Sequence, residues 1–228
     1  MKPARHLIFI ALGLLAACDG KVDAVRYRMT VAVQTPEGVR TGSGVIESGV
    51  QKLAVGTVFE GIDYTLKGEA VAVDLPRGKV LVALLTGAQN PYAGGEDYFR
   101  SVFGNAIGHG AIATPRLPQR FGGAEWAEEH AALRTIKPGL TLPAEDYPLL
   151  VTFGDPADPN TVRRVAPDDL ASAFGPGYAL RSVTLKLTDE PVSRVLVKRL
   201  PWVPDANKRV TADGGLAAGE FQPLFTAD

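Results

Sequence analysis

A chain of 228 residues with 24 basic and 25 acidic side chains, three histidines and one cysteine is close to neutral. That balance excludes a protein built to grip a phosphate backbone, so no nucleic-acid partner is expected. It also excludes internal disulfides, since Cys18 has no second thiol to pair with, and stability must come from packing, for which 46% apolar residues suffice.

The first predicted element is an address. Met1 to His6 carries Lys2 and Arg5 and no acid, and Leu7 to Ala17 is an unbroken apolar run of eleven residues. A membrane-spanning helix needs about 20, so residues 1–17 read as a signal peptide. Directly behind it, Leu15-Ala16-Ala17-Cys18 resembles a bacterial lipobox. The resemblance implies that the mature chain begins at Cys18, with lipid on its sulfur. The other reading is an ordinary secretory cleavage that leaves a free thiol, from which a secreted protein gains little. Each buried methylene contributes about 0.8 kcal/mol, so two or more acyl chains hold a protein stably. Asp19 resembles the residue that keeps enterobacterial lipoproteins in the inner membrane, which implies a periplasm-facing location there. Removing residues 1–17 leaves 22 basic against 25 acidic side chains.

Residues 18–24 are a short tether, and the folded body is expected over 25–200. Arg26 to Gln34 alternates, with Tyr27, Met29, Val31 and Val33 on one side, which predicts a half-buried strand. "TPEG" turns the chain and "VRTGSGVIES" runs back as its partner. "EAVAVDL" places Val71, Val73 and Leu75 on one face, "PRGK" turns, and Val80 to Leu85 is apolar on both faces, the pattern of a central strand covered on both sides. From about 90 to 145 glycines cluster and two helical patterns follow. "EDYFRSVFG" puts Tyr98, Phe99, Val102 and Phe103 on one stripe, and "AEWAEEHAALRTIKPG" carries acids at its start and bases at its end. This region is expected to be a helical and loop insertion laid against the sheet.

"YPLLVTF" predicts a strand with Leu149, Val151 and Phe153 on one face, and "DPADPNTV" a turn. "APDDLASAFG" reads as a short helix with Pro167 at its first position, Asp168 and Asp169 in its first turn and Gly175 past its end. "LRSVTLKLT" and "VLVKRL" are expected as two adjacent antiparallel strands. Residues 201–228 read as an irregular tail, packed or loose. The fold class is β-rich α+β, a mainly antiparallel sheet system with the insertion at 90–145.

The strings "TPEGVRTGSG", "GEAVAVDLP", "DPADPNTVRRVAPDDLASAFGPG" and "TDEPV" are similar to those of a family of alphaproteobacterial envelope proteins. The resemblance covers most of 25–202, is weakest over 90–145, implies an envelope location and names no chemistry.

The chemistry itself is sparse. No serine sits in G-x-S-x-G. Gly42-Ser43-Gly44 resembles the early strand of trypsin-like envelope proteases, yet no later serine has the glycine-rich setting their nucleophile needs, and a flexible strand or bulge explains it. "GNAIGHG" has the glycines of a phosphate loop but no lysine. Of the histidines after the signal, His130 falls on the apolar side of its helix, while His109, between Gly108 and Gly110, is the weak catalytic candidate. Asp155, Asp158 and Asn160 lack the spacing of a calcium loop, and the adjacent Asp168 and Asp169 point apart on a helix. Trp202 is expected to close a core or to stack on a ligand. No metal and no cofactor are expected. The reading is a lipid-anchored, non-enzymatic module for a protein, glycan or small ligand, held to the membrane through Cys18; the alternative is a hydrolase using His109 with Glu96, Asp97 or Glu125.

Overall fold

A computed structural model describes residues 23–52, 62–89, 98, 99, 102, 139–203 and 225–227. Two antiparallel sheets organise them. The first has six strands in the order β10-β3-β2-β1-β9-β6 and the second has four in the order β4-β5-β7-β8, where β1 is Asp23–Thr35, β2 Gly38–Lys52, β3 Ile62–Glu69, β4 Val71–Asp74, β5 Val80–Gly87, β6 Leu140–Thr141, β7 Pro148–Phe153, β8 Val162–Val165, β9 Ala179–Leu187 and β10 Thr226–Ala227. The β-rich expectation holds.

The opening hairpin forms as its alternation dictates. β1 pairs with β2 from Asp23↔Val50 to Thr35↔Gly38, and Gly38 supplies the positive φ of 109° that closes the turn. Tyr27, Met29, Val31 and Val33 point inward and are fully buried. Opposite them lie Val71 and Val73 of β4, Leu81, Ala83 and Leu85 of β5 and Leu150 of β7, which together with Val183 and Leu185 of β9 form the core between the sheets. Tyr98, Phe99 and Val102, on helical backbone, join this core, and the Phe99 ring lies 5.1 Å from Tyr27. Burial pushes the phenols of Tyr27 and Tyr98 well above their ordinary range, so both stay neutral.

β5 is covered on both sides, as its unbroken apolar run requires. Its other residues, Val80, Val82 and Leu84, join Leu149, Val151 and Phe153 of β7 in a second core. That core is roofed by Leu196, Leu200, Trp202, Val203 and Phe225. The four-stranded sheet is therefore the middle of three layers.

Between β4 and β5 the chain reverses through Arg77 (φ 64°) and Gly78 (φ 71°), the positive-φ pair of a type I′ turn. Arginine is a poor residue there, because its Cβ crowds the carbonyl that follows. Arg77→Asn creates the favoured Asn-Gly pair and is expected to raise stability by about 0.5 to 1 kcal/mol, read as a shift in the urea midpoint at constant slope. Beside this turn Lys79 donates to the carbonyl of Phe174 (2.9 Å) and lies 5.9 Å from the Phe174 and Tyr178 ring centres, pinning the hairpin to the end of helix α1, Leu170–Phe174.

Two expectations need correction. α1 starts at Leu170, with Asp169 as its cap: the Asp169 carboxylate accepts from the Ser172 amide at 3.1 Å and from its hydroxyl, which lowers its pKa, while Pro167 stands in the preceding turn. "VLVKRL" is not a strand; Leu196–Lys198 is a 3₁₀ turn. Val195 and Val197 are exposed while Leu196 and Leu200 are buried, so the segment follows a four-residue spacing and not an alternation.

Candidate functional site

Six of the residues singled out for chemistry, Cys18, Glu96, Asp97, His109, Glu125 and His130, lie outside the described residues. The others resolve into structure. In the 155–161 loop, Asp155 Oδ1 accepts from the Ala157 amide and Asp158 Oδ1 from the Asn160 amide, both at 2.9 Å, so these carboxylates fix a turn. Asp168 is exposed and Asp169 caps α1. Gly42 and Gly44 stand in regular β2 pairing, with no bulge; they occupy inward positions opposite Val31 and Met29, where β4 crosses close by. Among the described residues no group of three His, Cys, Asp or Glu gathers to hold a metal ion.

What the fold does assemble is a groove at the corner where β3 passes into β4. Strand β3 belongs to the six-stranded sheet and β4 to the other, and the chain changes sheets over Gly68 (φ 147°), Glu69 and Ala70. At this bend backbone groups turn away from their own sheet and need partners from elsewhere.

Two segments, 193–199 and 225–227, pack there. Glu69 is buried, and its Oε2 accepts from the amides of Val195 (2.6 Å) and Leu196 (2.7 Å). A carboxylate facing two backbone N–H groups makes strong, charge-assisted bonds, and here it anchors the 3₁₀ turn. Ser193 continues the stitching where β3 has left β2: its amide donates to the Val45 carbonyl (3.1 Å) and its Oγ accepts from the Val45 amide (2.9 Å). Beyond the turn, Arg199 grips Asp74 with two nitrogens at 2.8 and 2.5 Å, and the hydrogen bonds from this guanidinium hold the Asp74 carboxyl below its usual range.

The other segment ends in β10. The Ala70 amide donates to the Phe225 carbonyl (2.9 Å), and Thr226 and Ala227 pair with Glu69 and Gly68. The Phe225 ring, 1% exposed, enters a pocket in the second core, with its centre 5.2 Å from Trp202, edge-on, and 6.3 Å from Phe153. Trp202 closes the pocket and is held by its indole N–H on the Pro156 carbonyl at 3.0 Å. The groove thus combines a strand edge for main-chain bonds with an aromatic slot for one side chain, the means by which extended segments are held by strand addition, and both are filled by this chain's own Phe225–Ala227.

Sequence reasoning missed Glu69, Ala70 and Phe225 as members of one site. The only local signal was Phe225 itself, a large apolar residue within a tail of little periodicity. The outer face of the six-stranded sheet is polar by comparison. There Glu47 takes Arg26 at 2.7 Å and Lys67 at 3.7 Å, and Arg28 meets Ser43 and Glu190. Comparisons of this chain with protein-family models, with curated proteins and with solved structures find no match.

Proposed function

We propose that this protein is a lipid-anchored component of a bacterial cell envelope, tethered through Cys18, whose β-rich body serves as a binding or accessory module facing the periplasm. The observation that carries the reading is the order of the first 18 residues: two fixed positive charges, an apolar run of eleven, and Leu15-Ala16-Ala17-Cys18. The position of β1 supports it. Only four residues separate Cys18 from Asp23, where the strand begins, so the body would hang within roughly 18 Å of the anchoring sulfur. The β1–β2 turn lies about 40 Å along the strand from that end. The helical and loop insertion expected over 90–145 would lie against the sheets, in keeping with the buried Tyr98, Phe99 and Val102, while Leu140–Thr141, near its end, is strand β6. The groove filled by the chain's own Phe225–Ala227 indicates the kind of extended, aromatic segment that such a body can hold.

Cys18→Ser tests the anchor. Cells fed radiolabelled palmitate are expected to label the parent protein and leave the variant unlabelled, with the variant lost from the washed membrane pellet. Equal labelling of the two would overturn the assignment. Retention of an unlabelled variant through an uncleaved signal peptide is recognised by its larger mass.

A further inference from the structure

We propose that the segment Phe225–Ala227 is an exchangeable strap, and that the groove it fills is an interface through which two copies of this chain trade straps. Its seat is small and modular: one aromatic ring in a slot and a short ladder on the edge of β3. Residues 204–224 join Val203 to the strap, 21 residues by sequence, and covalent geometry lets such a length span up to about 70 Å. That exceeds the roughly 40 Å length of β1. The neighbouring groove is therefore within reach.

A strap seated in a second copy makes the same contacts as one seated in its own. The balance between the two is then set by effective concentration and not by new chemistry, which is why exchange of an identical element is a low-cost route to a dimer. Each copy carries both halves, a strap and a groove, so a reciprocal exchange closes with two-fold symmetry and leaves no groove vacant. The occupant is argued from the molecule itself: the one sequence known to fit this slot is Phe225-Thr226-Ala227. Copies held side by side on a bilayer would favour the exchange further; that last point alone rests on the lipid anchor.

Two full-length variants of residues 18–228, both carrying Cys18→Ser so that lipid plays no part, test the proposal. Phe225→Asp spoils the strap and keeps the groove; Trp202→Ala weakens the groove and keeps the strap. By sedimentation velocity at a few hundred micromolar, each alone is expected to be monomeric, and the equimolar mixture is expected to double in mass. A mixture that stays monomeric, while both variants keep the parent's circular dichroism, overturns the proposal. Should either variant unfold, a photo-cross-linking residue replacing Thr226 leaves ring and slot intact. Two His-tagged copies on nickel-lipid vesicles, one bearing it and the other a larger parent without it, are expected to give a cross-linked product of summed mass. Cross-links confined to single chains overturn the exchange. Neither format needs Cys18 to be lipidated, so failure of the anchor and failure of the strap exchange are read separately.

Discussion

Gly42→Ala is expected to destabilise the domain by more than about 3 kcal/mol, enough to leave much of it unfolded at 37 °C, whereas Gly44→Ala is expected to cost about 1 to 2 kcal/mol. The two glycines look equivalent in the sequence. Their surroundings differ. A Cβ on Gly42 would lie 2.0 Å from the Ala72 carbonyl oxygen, 2.8 Å from its carbon and 3.1 Å from the Val73 Cα, all backbone atoms of β4. A Cβ on Gly44 would first meet a methyl of Val71, at 3.3 Å. A methyl can yield by a small rotation; a strand cannot. For Gly42→Ala, β4 would have to retreat by more than an ångström, and Val71 and Val73 would be drawn out of the core they share with Met29 and Val31. Urea unfolding of the two variants beside the parent decides the matter. A Gly42→Ala midpoint equal to that of Gly44→Ala would mean that β2 and β4 do not touch as described. Ser43→Ala, on the outer face, is expected to stay within about 0.5 kcal/mol of the parent.

The same pair of glycines shows where a single sequence stops informing. Alternation at Tyr27, Met29, Val31 and Val33, the "PRGK" reversal and the doubly apolar Val80–Leu85 are local patterns, and each becomes the element its period implies. β3 has the same alternation, Ile62, Tyr64 and Leu66 against Asp63, Thr65 and Lys67, and is legible although sequence reasoning missed it. β8 carries no such signal: in "VRRV" only Val162 and Val165 are buried, around two exposed arginines. "VLVKRL" misleads because two exposed valines imitate an alternation, while the carboxylate that curls the segment belongs to Glu69, far back along the chain. Gly42 likewise is explained by Ala72, a neighbour no local window contains. The anchor proposed at Cys18 rests on contiguous residues and so can be read without the fold. The groove cannot, since Phe153, Trp202 and Phe225 converge only once the sheets have packed.

Glu69→Ala should cost about 2 to 4 kcal/mol, and the loss should begin at the roof of the second core. The Glu69 carboxylate is buried and accepts from two amides, those of Val195 and Leu196, so its removal leaves two N–H groups without that acceptor at a place water reaches poorly. Hydrophobic contact cannot repair this, because the penalty is the lost hydration of the amides and not a cavity. Glu69→Gln keeps one neutral acceptor and should fall between parent and Ala, which separates the hydrogen-bond effect from loss of side-chain bulk. The site of the damage is as telling as its size. Leu196, Leu200, Trp202 and Val203 follow directly on the anchored turn, and the strap pairs with Glu69 itself through Thr226. Amide exchange should therefore accelerate first over 195–203 and 225–227, while Tyr27 to Val33 at the centre of the six-stranded sheet keeps its protection until global unfolding. Acceleration spread evenly over both sheets would show that Glu69 supports the whole fold, and unchanged exchange over 195–203 would show that its two hydrogen bonds do not hold the roof.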